Sequence, residues 1–308
     1  MRNSGTNVTE DISIIFGASG GGIVSLLFTL KYKNWSNFFK DLVDTRQYTR
    51  PRNLQARATR LNHLGKICFF CAWWVTITYA IAAWFSSKGC QDTNDPGKFG
   101  EICPTFIPIW LPFGTNDVAA AQSFLAECFV MYESTEIFIC HISELKSQLK
   151  ETLDAPFSVE TRDKLRLCVD YHVYILNLGY RLSSLIKYTA GHMSLLSALV
   201  CGCVANQMLN TKPMGSLFFL AAWLFALFCF CHSGQRIKDK TLSIADAIWN
   251  TKWYKADVKT LKDVQFILLR CQKPICFEAL PMGVTDYAFY FMMIKTGYSF
   301  FALFRQSL

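Results

Sequence analysis

The chain has 308 residues, 52% of them hydrophobic and only 18% charged, with a mean hydropathy of +0.21. A soluble domain carries about 25% charged residues, and the apolar residues here gather into runs near the ~20 residues an α-helix needs to cross a bilayer. The net charge of +8 does not indicate nucleic-acid binding, because no stretch interleaves cations with stacking aromatics.

Read in chain order, the first apolar run is 12–30. It follows a start with one cation and two acids (Arg2, Glu10, Asp11), which is not the pattern of a secretory signal peptide. Gly17 and Gly21 have the spacing of a close helix–helix contact. The glycines around them lack the strand and the Gly-Lys-Ser/Thr of a phosphate loop. The second run is 67–85. Cys90 and Cys103 share the polar segment after it, and are either one disulfide or two free thiols. Most of the other eleven of the 13 cysteines, such as Cys201, Cys203, Cys229 and Cys231, lie in apolar runs as small hydrophobes.

The third run, 119–140, is interrupted by Glu127, Glu133 and Glu136. Glu136 is expected near cytoplasmic water with Glu133 following on the same face, whereas Glu127 needs a buried partner. The fourth run, 188–207, contains His192, and the fifth, 214–232, is the clearest. The sixth, 275–304, is broken near Pro281-Met282-Gly283 and carries Asp286 and Lys295. Both charges are costly in lipid and should face protein, a partner charge or water, unless Lys295 snorkels.

Segments 31–66, 141–187 and 233–273 hold 25 of the 31 lysines and arginines. Cytoplasmic loops collect such residues, so these three face inward, and the N-terminus, the 86–118 loop and the C-terminus face outward. The Asn7-Val-Thr9 sequon is then an outer glycosylation acceptor, and Asn34-Trp-Ser36 is an inner one that stays unmodified. The expected fold is an all-α polytopic membrane helix bundle of six apparent spans, one domain over residues 1–308. The histidines 63, 141, 172, 192 and 232 lack metal-ligand spacing, and no nucleophile stands at a recognisable distance from a base. The reading is of no enzyme, no metal, no cofactor and no nucleic acid.

The last third carries specific motifs. Ala247, Trp249 and Trp253 are followed by Arg270-Cys-Gln272-Lys-Pro274, then by Lys295-Thr-Gly-Tyr298-Ser299 and Phe304-Arg305-Gln306. Upstream stand a Pro- and aromatic-rich loop at 104–113 and the Asp170-Tyr-His-Val-Tyr-Ile-Leu176 stretch. In this order the motifs resemble those of insect odorant receptors, with Trp249 in place of a tyrosine. The sister gustatory family tends to carry Thr-Tyr and then Gln-Phe in the last span, and Gly297-Tyr298 without Gln-Phe fits it less well. The odorant family has seven spans, so the resemblance implies that its first is missing here, as in a fragment, and that 12–30 corresponds to its second.

The resemblance implies a heterotetrameric cation channel in the plasma membrane of sensory neurons. It would be made with an obligate co-receptor and gated by a small apolar volatile. The last helix would line the pore, 233–273 would form a cytoplasmic anchor, and the ligand would sit in the outer half of the bundle. Tyr298, Phe301 and Arg305 share one helical face. Phe301 is there either a dewetting constriction or an aromatic packed on protein or lipid. For the ligand, Phe16, Ser19, Tyr79, Ala83, Phe124, Phe129, Phe219 and Trp223 form a search set of suitable chemistry, each taken singly being ordinary packing more often than contact. A secondary transporter is the alternative from another class, though no internal repeat supports it.

Overall fold

The computed structural model describes residues 22–44 (except 24 and 25), 51, 54–67 (except 64), 70 and 116–307 (except 157, 212 and 213). Within these, side chains at 116–128, 203–204, 206–220, 222–223 and 304–307 are not described. Six α-helices are resolved along their length: α1 (Tyr32–Val43), α2 (Asn116–Asp154), α3 (Val159–Thr211), α4 (Met214–Trp249), α5 (Val258–Cys271) and α6 (Tyr287–Ser307). Residues 26–30 and 54–63 are also helical. Among the described residues, no helix is long and apolar enough to cross a membrane. Most side chains of 206–223, the most apolar part of the sequence, fall outside that description.

Helices α2, α3 and α4 have 39, 53 and 36 residues, which at 1.5 Å per residue is about 58, 80 and 54 Å. They therefore run on through 141–187 and into 233–249, where the sequence reading had placed cations in loops between apolar runs. The reason is periodicity that persists beneath the charge. Ile142, Leu145, Leu149 and Leu153 are buried on α2, Leu165, Cys168, Ile175, Leu178, Leu182 and Leu185 on α3, and Ile237, Ile244 and Ile248 on α4. Spacings of three, four and seven keep each set on one face. Most of the lysines and arginines lie away from these faces, Arg236 and Lys146 being half-buried.

The α2–α3 reversal takes four residues, 155–158. Pro156 disfavours helix at the residue before it, and Ser158 starts the next one, its Oγ accepting from Thr161 N at 3.3 Å. We call this the hairpin end of the bundle. Helix α1 closes it from the side, burying Trp35, Phe38 and Leu42. Each fully buried side chain of this kind contributes about 1.5–3 kcal/mol.

After α5 the chain crosses α3 in an extended path. Ile275, Phe277 and Ala279 are buried at alternate positions, and Glu278–Ala279 pairs antiparallel with Gly283–Val284. Gly283 has φ +132°, a conformation side chains other than hydrogen rarely adopt. Residues 275–286 thus lie outside any helix, and the expected last span, 275–304, becomes helical only at Tyr287. Pro281 has no N–H for a helix, and Asp286 supplies the start, its carboxylate accepting from Phe289 N at 3.0 Å.

Helix α6 lies chiefly on α3. Gly202 and Gly297 mark the closest approach: a Cβ at Gly202 would stand 2.6 Å from Phe300 Cβ, and one at Gly297 2.9 Å from Cys201 Cβ. Where the extended segment crosses, a Cβ on Gly191 would overlap the Leu280 carbonyl oxygen.

Candidate functional site

Helix α6 has two unlike faces. Phe289 and Met293, four residues apart, are buried with Ala190, Leu227, Cys231 and Ala279 where α3, α4 and the extended segment meet. On the other side Phe291, Lys295, Tyr298 and Ser299 are exposed, Tyr298 to 69%. The Tyr298 and Phe301 rings are neighbours, 6.0 Å between centroids. Tyr298 is the more open of the two, and Phe301 is half-buried. Arg305 continues the helix, with its side chain outside the described set.

The start of α6 is tied to α4. Lys238 Nζ donates to Asp286 at 3.1 Å, so Asp286 has the partner charge the sequence required. His232 Nδ1 and the Tyr287 hydroxyl are 2.7 Å apart, and Phe228 stacks on both rings. These contacts join α4 to the first turn of α6.

At the hairpin end several polar groups that enter the packing are matched, although Arg162 Nε is buried there without a hydrogen-bond partner. Glu136 is only 7% exposed and is held by Arg236, with Arg57 at 3.8 Å. This corrects the expectation of a solvated Glu136. The physical reason is that two guanidinium groups replace water around the carboxylate. Glu133 is half-buried beside Gly65. His141 bridges the Leu42 carbonyl (Nε2, 2.9 Å) and the Tyr171 hydroxyl (Nδ1, 2.8 Å). A carbonyl only accepts, so Nε2 bears the hydrogen and Nδ1 accepts from Tyr171. Burial lowers the His141 pKa.

His172 and Cys271 meet at 4.0 Å between α3 and α5. Burial, with Arg270 adding to it, pushes His172 down to about 4, and burial pushes Cys271 up to about 11. Both are neutral at physiological pH. The sequence signal for these partners was faint. A histidine or glutamate amid buried apolar positions demands a partner, but nothing local names which one.

Of the eight residues proposed to contact ligand, Phe129 alone has a described side chain. It is half-buried against the backbone at Gly65. Phe124, Phe219 and Trp223 lie on the described backbones of α2 and α4, while Phe16, Ser19, Tyr79 and Ala83 lie outside the described residues, as do Asn7, Cys90 and Cys103. The pocket this set was expected to form thus falls outside the described side chains. An apolar cleft between Phe28, Trp35, Met131, Ile186 and Thr189 has a volume of about 20 Å³, the size of a single water rather than of an odorant. Among the described residues no His/Cys/Asp/Glu group could hold a metal ion.

A family model described as 7tm Odorant receptor matches residues 10–298. The chain belongs to the odorant receptor family. Odorant receptor 82a of Drosophila melanogaster is 26% identical over 144 residues, covering 45% of this chain and 37% of that protein. Odorant receptor Or2 of Anopheles gambiae is 24% identical over 149 residues, covering 46% and 39%. The aligned part thus spans well under two thirds of these odorant receptors. The fold is that of the insect olfactory receptor OR5 from Machilis hrabei, solved in complex with eugenol. The TM-score is 0.76 at 15% identity, over 100% of this chain and 84% of that one; for OR5 without that ligand it is 0.74 at 16%. An all-α membrane helix bundle is thus the fold class of this odorant receptor, and the gustatory alternative is set aside.

Proposed function

We infer that this odorant receptor is a subunit of an odour-gated, non-selective cation channel, working with a co-receptor subunit of the same fold in a heterotetramer. The observation that carries this reading is the asymmetry of α6. One face is fastened to α3 and α4, and the other presents Phe291, Lys295 and Tyr298 with nothing from the described chain over them. A lysine beside exposed aromatics is unfavourable against lipid, so that face suits a water-filled path or a neighbouring subunit. On this reading the spans run near 12–30, 67–85, 119–140, 188–207 and 214–232, with α6 as the last, and the segment about 233–273 is the cytoplasmic anchor. The C-terminus lies outside the plasma membrane of a sensory neuron. The ligand is a small apolar volatile; the solved relative's complex with eugenol supports that class. The reading includes no enzymatic step.

The experiment is co-expression with a co-receptor in cells that lack both, with whole-cell recording during exposure to an odorant panel. Currents that require both subunits and a volatile are the expected result. Substrate uptake without current would instead support a transporter. An epitope at the C-terminus should label intact cells, and labelling only after permeabilisation would overturn the orientation.

A further inference from the structure

At the hairpin end, α2 and α4 separate into an open groove of about 450 Å³, within the 300–1,000 Å³ range of small-molecule sites. One wall is Ser143, Lys146, Ser147 and Lys150, and the other is Ser243, Asp246, Ala247 and Asn250. Both sets follow the i, i+3, i+4, i+7 spacing of a helix seam. That seam would be apolar if the two helices packed directly, and it is instead almost wholly polar on both sides. Lys146 Nζ reaches across and donates to Ser243 Oγ at 3.1 Å, while that hydroxyl donates to the Lys240 carbonyl at 2.8 Å. Partial burial, then the nearby charge of Lys240, lowers the Lys146 pKa, and Asp246 acts the other way. Two lysines and one carboxylate thus line the groove, among hydroxyl and amide groups.

We propose that this groove binds a phosphate-bearing polyol of the inositol phosphate class. Its phosphates lie between Lys146 and Lys150, and its hydroxyls meet Asp246 and Asn250. Lysine is a point-charge partner for phosphate, one helical turn separates the two ammonium groups, and a carboxylate with an amide matches ring hydroxyls better than it would a second phosphate. The same chemistry reaches the groove either as a free inositol phosphate or as a lipid headgroup. The proposal is independent of the channel reading, because binding is measured without current and without a co-receptor.

The test is isothermal titration of the full-length chain in lipid nanodiscs with inositol trisphosphate. Saturable binding is expected, weakened at least about tenfold in Lys146→Gln/Lys150→Gln and kept within about threefold in Lys146→Arg/Lys150→Arg. Should the double Gln variant fail to give monodisperse protein, Lys150→Gln alone, at an exposed position, should weaken binding about threefold. Nanodiscs containing phosphatidylinositol bisphosphate separate the sources. Competition with the soluble probe identifies a lipid headgroup and its absence a soluble ligand, and either supports the site. Absence of saturable binding, or binding that the lysine substitutions leave unchanged, overturns it.

Discussion

In the hairpin end, side chains with charge or hydrogen-bonding capacity enter the packing with partners: Glu136 with Arg236 and Arg57, His141 with Leu42 and Tyr171; Arg181 pairs with Asp41 at the surface. Along α6 beyond its first turn the arrangement is different. Apolar residues and glycine make the contact with α3, and Lys295, Tyr298 and Ser299 are left on the open face. A region whose buried polar groups are mostly paired has few low-energy packings, since breaking a pair leaves an uncompensated group. A helix attached by small residues along one stripe can tilt or slide at much lower cost. The hairpin end is thus suited to hold position, and α6 to move.

The largest effect should come where the two regions touch. Gly191→Val places a side chain onto the Leu280 carbonyl oxygen, which belongs to backbone and cannot swing aside. Overpacking typically costs about 1–3 kcal/mol or more, and here the extended segment that delivers α6 must leave α3. Loss of monodisperse protein on size-exclusion chromatography is expected. Normal yield and melting temperature would show the crossing to be pliable.

Next is Glu136. Glu136→Ala leaves Arg236 and Arg57 without their carboxylate; both keep contact with solvent, so the cost falls below the ~3–5 kcal/mol of a fully buried pair and is read as a drop in melting temperature. Glu136→Met with Arg236→Met removes the buried charge on both sides and should recover most of the loss. If the double variant melts no higher than the single one, the pair does more than neutralise itself.

Acid should separate the regions as well. His172 has a folded pKa of about 4 against an ordinary value of 6.5. Above 6.5 both states are neutral there. Below it the unfolded chain takes a proton the folded chain refuses, so stability falls as pH drops from 6.5 towards 4, by about 3 kcal/mol over the full interval. Melting temperature measured across that range should fall less steeply in His172→Leu than in the parent. Equal slopes would mean that His172 is not the group responsible.

These tests also show what could be read from sequence. The apolar runs, the sorting of cations and the terminal motifs sufficed for the helical fold class and the family, because hydrophobic period and charge asymmetry are local signals. The reach of α2–α4 into the charged segments was legible too, in Ile142-Leu145-Leu149-Leu153, but the cations on the outer face masked it. Partner identities were not legible. Arg236 and Glu136 are 100 residues apart and His141 and Leu42 are 99, and a single sequence holds no record of which distant groups meet. Asp286 illustrates the boundary: its need for a partner was readable from its place in an apolar segment, while Lys238 as that partner required the fold.

The smallest stability effect and the most informative functional one belong to the open face of α6. Tyr298 is exposed to 69%, and substitutions at such positions change stability by about 0.5 kcal/mol or less. Tyr298→Ala should therefore leave the melting temperature of the isolated subunit nearly unchanged while altering conductance or ion selectivity of the assembled channel. Phe301, half-buried beside it, distinguishes constriction from packing. A dewetting gate loses its barrier when the ring is removed, so Phe301→Ala should raise the current seen without odorant, whereas a ring that merely packs would give a lower melting temperature and unchanged gating. If Tyr298→Ala also lowered the melting temperature by several degrees, that face would be packed within the subunit itself, and the contrast between a fixed hairpin end and a freely presented α6 would no longer stand.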